Sequence, residues 1–179
     1  MTEKNSPTLR ETEAVRTPVR RVHRIQRVIY VLIAAVVFAA DQATKALVVK
    51  SIPDHVVIPV VPGFFNLLHT ENSGIAFSLF SDSSSSWKMF LLVGVSVALL
   101  VAVVIVVWRT SEVNWTGGIG LALILGGALS NLVDRIRFGQ VVDFLDFYCL
   151  GYHWPTFNLA DSAIVVGAGF LVLEFLFAQ

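Results

Sequence analysis

Cysteine is nearly absent from this chain of 179 residues, histidine occurs four times, and charged residues make up only 15%. With Cys149 alone no intramolecular disulfide can form, and no Cys/His cluster has the spacing of a zinc site, so no metal or other cofactor is expected. His153 lies four positions after Cys149, but no third residue stands ready to orient a Cys–His nucleophile pair, and a lone cysteine beside an interfacial loop is more often packing. There is no glycine-rich phosphate loop, no basic nucleic-acid patch and no internal repeat.

What fills the space is apolar. Hydrophobic residues make up 55% of the chain and the mean hydropathy is +0.73, both beyond the range of a soluble domain. The stretch from Trp87 to Trp108 carries no charge after Lys88 and has a tryptophan at each end, as a membrane-spanning helix with interfacial anchors would. Three further spans are expected: Val28 to Val49, interrupted by DQATK; Gly117 to Val133, short and glycine-rich; and Asn158 to Phe177. The expected fold is therefore a mainly α membrane protein with four transmembrane helices.

Residues 1–27 carry Lys4, Arg10, Arg16, Arg20, Arg21, Arg24 and Arg27, and the turn after Trp108 carries Arg109, so the positive-inside rule puts both termini in the cytoplasm. The basic tail has no apolar period and is expected to be a disordered cytoplasmic extension preceding one membrane domain, residues 28–179. A cleaved signal peptide ending near Ala40 is the competing reading of the N-terminus. Against it, apolar residues resume at Ala43, and Asp41, Thr44, Lys45 and Val48 share one helical face, as in a retained helix with a polar inner stripe.

The long connections, about 50–86 and 134–157, then lie on the outer face. In the first, the β-prone runs HVVIPVV, FFNLLHT and IAFSLF alternate with Pro and Gly, which predicts a small sheet on the membrane surface. Its ENSGIAF turn could offer Asn72 and the backbone at Gly74 to an extended peptide, or use Asn and Gly merely for their tolerance of positive φ. The second contains VVDFLDFY, with Asp143 and Asp146 in apolar company that would tune a carboxylate's proton affinity.

The third span ends in GGALSNLVDRIRFG, where Gly126 and Ser130 permit close helix approach and Asn131, Asp134 and Arg135 cluster at the outer end. The fourth begins FNLADSA, where Asn158 and Asp161 have the spacing of a capping box. If these two helices are antiparallel neighbours, a loop folding back between them could unite Asp143 and Asp161, 18 positions apart. Two carboxylates sharing a proton could activate water and protonate a carbonyl, the chemistry of metal-free peptide hydrolysis. A small proton-coupled transporter subunit and a structural scaffold are the rival readings.

Taken in order, DQATK, NSGIAF, GGALSNLVDRIRFGQVVDF and FNLADSA resemble the blocks of lipoprotein signal peptidase (signal peptidase II), over roughly residues 28–177. The resemblance implies an aspartyl endopeptidase of the bacterial cell membrane with Asp143 and Asp161 as the catalytic pair, which leaves Asp146 as an ordinary polar loop residue. It also implies positioning roles for Asp41, Lys45, Asn72, Gly74, Gly127, Asn131, Arg135 and Asn158, with Asp41 and Lys45 paired at i, i+4. Ser130 and Ile75 depart from the family pattern, which has glycine and alanine there. The implied substrates are diacylglyceryl-modified prolipoproteins, cut on the amino side of the lipidated cysteine at the outer membrane surface. Contact with membrane lipids, a monomeric state and occupation of the site by globomycin complete the expectation.

Overall fold

The computed structural model describes residues 9–54, 56–72, 93–94, 96–98, 100–105 and 114–177, with side chains in the first helix from residue 25 onward. Helix α1 (Leu9–Ser51) is followed by strands β1 (Val57–Val61) and β2 (Phe65–Asn72), then by helix α2 (Ser96–Ile105), which belongs to the expected Trp87–Trp108 span. Most of that span, like Gly74 and the IAFSLF run, lies outside the described residues. Helix α3 (Trp115–Phe138), strands β3 (Val141–Cys149) and β4 (Tyr152–His153) and helix α4 (Leu159–Phe177) complete the chain.

Three helical stretches among the described residues are long and apolar enough to cross a membrane: Ile25–Ser51, Trp115–Phe138 and Leu159–Phe177. The shortest, at 19 residues, extends about 28 Å at 1.5 Å per residue, matching a hydrocarbon core of about 30 Å. In α3, 67% of the most apolar window is buried within the protein, against 22% in α1 and 11% in α4. Helix α3 is thus the inner helix, and the other two turn Val31, Val36, Val165 and Phe175 outward to where lipid replaces water. Small residues let the backbones meet: a Cβ at Gly126 would lie 2.5 Å from the Ala34 carbonyl oxygen of α1, and one at Gly120 would lie 2.8 Å from the Gly167 carbonyl oxygen of α4.

Two boundaries differ from expectation. Helix α1 is already helical at Leu9, so the supposed disordered tail continues the membrane helix toward the N-terminus. Its leading residues, LRETEAVR, are mostly strong helix formers, and a helix already nucleated by the span propagates cheaply into them, Pro18 notwithstanding. Helix α3 runs past Val133 to Phe138 and stops where Gly139 takes a left-handed conformation (φ 75°) and donates its N–H to the Arg135 carbonyl. The polar residues Asp134 and Arg135 therefore belong to the helix, and the connection begins at Gly139.

The sheet is antiparallel in the order β1-β2-β3-β4. Strands β1 and β2 come from the predicted runs HVVIPVV and FFNLLHT, whereas β3 is the segment expected to be loop. VVDFLDFYC is rich in β-branched and aromatic residues, and it pairs across its length with β2 (Phe65 opposite Phe147, Thr70 opposite Asp143). A hairpin turn at Leu150 and Gly151, both with positive φ as a type I′ turn requires, returns the chain as β4. Val48 and Ile52 at the end of α1 pack on Phe144, with Leu67, Val142, Leu145 and Leu159 around them, seating the sheet on one end of the helices.

Candidate active site

Where the sheet meets the helix ends, polar side chains from five elements meet, most of them buried. Asp41 and Lys45, one turn apart on α1, form the expected ion pair at 2.6 Å, with Asp41 fully buried and Lys45 4% exposed. The Lys45 ammonium also reaches Asp134 Oδ2 (2.6 Å) and Asn131 Oδ1 (2.8 Å) on α3, so all three of its N–H groups have acceptors. Asp41 accepts from the Ser130 hydroxyl (2.7 Å) and from the backbone N–H of Ala160 at the start of α4 (2.8 Å). Gln42 donates to Asp134 Oδ1 (2.7 Å) and Ser130 Oγ (2.9 Å). A charge cluster so buried persists only because nearly every lone pair and proton in it is used.

Asn131 carries this cluster outward. Lysine has no acceptor, so the contact with Lys45 fixes the amide with its oxygen toward Lys45, and its Nδ2 then donates to Asp161 Oδ1 at 2.8 Å. Asn158, fully buried, does the same for the second acid: its Nδ2 donates to Asp143 Oδ1 (2.8 Å), with a longer contact to Asn131 Oδ1 (3.3 Å). Its Oδ1 accepts from the Asp161 N–H (2.9 Å), while Asp161 Oδ2 reaches back to the Asn158 N–H (3.3 Å). The capping box read from the sequence therefore exists, and the same residues also hold the two aspartates.

Asp143 is 2% exposed and accepts a second hydrogen bond from Asn72 Nδ2 at 2.9 Å. Burial is the largest influence on its proton affinity, pushing the carboxyl up to about 6. The neighbouring Asp161 charge works in the same direction, while the Asn72 and Asn158 hydrogen bonds and the Lys45 charge pull the other way. The two acids are thus electrostatically coupled, as the predicted convergence of β3 and α4 requires.

Of the ten site residues expected from sequence, seven join this network directly: Asp41, Lys45, Asn72, Asn131, Asn158, Asp143 and Asp161. Gly127 touches it through backbone only, since a Cβ there would lie 2.4 Å from the Ala160 carbonyl oxygen and would push the first turn of α4 away. Arg135 turns Nη1 to the Asn131 carbonyl (3.2 Å), bracing α3 without reaching either aspartate, and Gly74 lies outside the described residues.

Gln42, Ser130 and Asp134 are members that sequence reasoning did not assign. Asp134 stood in the flagged polar cluster at the end of α3, and Ser130 in the departure from the family glycine; Gln42 gave no signal apart from its place in DQATK. Asp146 is no ordinary loop polar residue: it is 2% exposed and bonded to Asn66 Nδ2 (2.7 Å) and to His153 Nδ1 (2.8 Å), which ties β2, β3 and β4 together. His153 stacks on Tyr148, opposite it across the hairpin, while Cys149 faces Tyr152 on the alternate side, so Cys149 and His153 are not a pair. Among the described residues, no group of three or more His, Cys, Asp or Glu is placed to hold a metal ion.

The family model for signal peptidase (SPase) II matches residues 33–177. Proteins named lipoprotein signal peptidase are similar throughout: that of Solibacter usitatus is 44% identical over 144 residues (80% of this chain, 88% of the relative), and that of Desulforapulum autotrophicum is 46% identical over 146 residues (82% and 90%). Two solved structures described as bacterial membrane enzymes superpose with TM-scores of 0.73 and 0.75 at 30% and 29% identity, covering 83% and 84% of this chain and 87% and 94% of theirs. A frame of apolar helices with a small antiparallel sheet at one end and a family match over four-fifths of its length make this chain a multi-pass membrane peptidase that belongs to the signal peptidase II family.

Proposed function

We propose that this protein is an aspartyl endopeptidase that removes the signal peptide of bacterial prolipoproteins on the amino side of the diacylglyceryl-modified cysteine, with Asp143 and Asp161 as its catalytic pair. The observation that carries the reading is the asparagine bracket. Asn158 and Asn131 each donate to one aspartate at 2.8 Å, and they hold a β3 carboxylate beside a carboxylate in the first turn of α4.

The raised proton affinity of Asp143 assigns the resting roles. In the active form Asp143 carries the one proton the pair shares, a form that a carboxyl raised to about 6 fills below that pH and progressively loses above it. Asp161 then takes a proton from water as it attacks the scissile carbonyl, and Asp143 gives its proton to the developing oxyanion. As the tetrahedral intermediate collapses, the proton on Asp161 passes to the leaving amine and one hydroxyl of the gem-diol returns its proton to Asp143, which restores the starting pair. Asn72, Asn131 and Asn158 keep both acids in place without titrating, so little reorganisation accompanies the reaction. The buried Asp41–Lys45–Asp134 cluster fixes the orientation of Asn131.

Both termini are assigned to the cytoplasm and the catalytic pair to the outer face, where water reaches the acids and the diacylglyceryl group stays among lipid acyl chains. The same site is proposed to take globomycin, and the working unit to be a monomer. With the peptidase family established, the transporter and scaffold readings have nothing left to rest on.

The test is cleavage, in a lipid environment, of a diacylglyceryl-modified precursor and its unlipidated twin. Asp143→Asn and Asp161→Asn should each abolish cleavage of the lipidated precursor, and the unlipidated twin should be a poor substrate for the wild type. Full turnover by either purified variant would refute the pair.

A further inference from the structure

Ser130 is fully buried in α3, yet its hydroxyl is not spent on its own helix. A serine inside a helix commonly bonds back to the carbonyl one turn earlier. Here the hydroxyl donates instead to Asp41 Oδ2 (2.7 Å) and accepts from Gln42 Nε2 (2.9 Å), so both of its hydrogen bonds cross to α1. Ser130 stands where the family pattern has glycine, and the roles implied by the family therefore leave this hydroxyl unassigned.

Asp41 passes the contact on to the third helix of the site. Its Oδ2 is shared by Ser130 and the Lys45 ammonium (2.6 Å), while its Oδ1 accepts the Ala160 N–H (2.8 Å). The Cβ–Cγ torsion of an aspartate is soft. Anchored at Oδ2 by Lys45 alone, the carboxylate could turn toward the ammonium and carry Oδ1 away from Ala160; the Ser130 bond opposes that rotation. Ala160 is itself fully buried and immediately precedes Asp161 in the first turn of α4.

We infer that Ser130 is a positioning residue for the peptidase reaction: through Asp41 it holds the Ala160 N–H, and with it the turn from which Asp161 meets Asn131 and the reacting water. The inference rests on the proposed role of Asp161. What counts at this position is the oxygen, not the bulk. Alanine keeps the Cβ and removes the oxygen, which leaves Asp134 as the one acceptor for Gln42 Nε2 and Lys45 as the one donor to Asp41 Oδ2. Glycine vacates the Cβ as well and opens a polar space between Asp41 and Gln42, where a single water can remake both bonds. Helix propensity and packing rank the two variants the other way, because alanine is the best helix former and glycine among the poorest.

The test compares purified full-length wild type, Ser130→Ala and Ser130→Gly in micelles. Cleavage of the diacylglyceryl-modified precursor gives kcat and KM, and kcat is referred to the folded fraction measured by circular dichroism. Ser130→Ala should lower kcat on the order of tenfold with KM changed by no more than about twofold, as for a small misplacement of a reacting group. Ser130→Gly should keep kcat within about threefold of the wild type, a rescue that a purely structural role would not give. A Ser130→Ala enzyme as fast as the wild type, or a Ser130→Gly enzyme no faster than Ser130→Ala, would overturn the inference. Asp161→Asn run alongside separates the two layers. Turnover by that variant refutes the catalytic pair and this inference with it, whereas a dead Asp161→Asn beside a fully active Ser130→Ala refutes the role of Ser130 alone.

Discussion

Replacing Asp143 by asparagine should stop turnover and yet make the protein harder to unfold at neutral pH. Burial raises this carboxyl from its ordinary 3.8 to about 6, so between those values the folded chain holds a proton that the unfolded chain has released. Where the native state binds more protons, stability falls as pH rises; the penalty is absent below pH 3.8, grows through the window, and is complete above about 6. Two pH units correspond to ~3 kcal/mol, an order-of-magnitude figure that applies because Asp143 is only 2% exposed. Asparagine has no proton to lose and escapes this penalty. It does lose something: its single oxygen can serve Asn72 or Asn158 but not both, and the abandoned donor costs about 1 kcal/mol. The variant is therefore expected to be ~2 kcal/mol more stable than the wild type at pH 8 and up to ~1 kcal/mol less stable at and below pH 4, with the sign changing near ~pH 4.5. Unfolding by a denaturing detergent in mixed micelles, followed by tryptophan fluorescence across that range, measures the difference. A gap that does not vary with pH, or a variant weaker than the wild type at pH 8, would refute the reasoning.

Other perturbations separate the remaining parts. Asn72→Ala removes a hydrogen bond that favours ionised Asp143, so the alkaline limb of the kcat/KM profile should move upward by roughly one pH unit, and a downward move would contradict the assigned roles. Gly127→Ala forces α4 off α3 at the Ala160 carbonyl and should lower cleavage at least ~10-fold, comparable to other small misplacements of reacting groups; unchanged kinetics would show that the first turn of α4 tolerates movement. Lys45→Met leaves Asp41 and Asp134 buried without their cation and should destabilise by about 3–5 kcal/mol, seen as loss of protein from the membrane fraction. Asp146→Asn should weaken the sheet by about 1–3 kcal/mol while cleavage persists, and a dead but stable enzyme would give Asp146 a place in the chemistry.

Much of the frame can be read from local pattern alone. Apolar length marks α1, α3 and α4, the i, i+4 spacing pairs Asp41 with Lys45, and the capping box at Asn158 needs only three residues of context. The choice between Asp143 and Asp146 was also within reach of a local rule. Once VVDFLDFYC is treated as a strand, a spacing of three sends the two carboxylates to opposite faces, one toward the helix ends and one toward Asn66 and His153. The segment passed for loop because both of its faces are apolar, as they must be when helix ends cover one side, so the alternation that announces a half-exposed strand is missing. The links from Lys45 to Asp134 and Asn131, and from Asp41 to Ser130 and Ala160, could not be read at all. They join residues 86 to 119 positions apart, and nothing in a single sequence encodes such a distance.

The bond from the Ala160 N–H to Asp41 bears on biogenesis. It makes a residue of the first helix part of the N-terminal cap of the last one, so the turn that presents Asp161 is completed only by a segment translated long before it. On the proposed catalytic pair, a chain whose last helix has not yet met the first would lack the Ala160–Asp41 bond and with it a completed first turn of α4. The presentation of Asp161 would then depend on assembly of the bundle rather than on α4 alone.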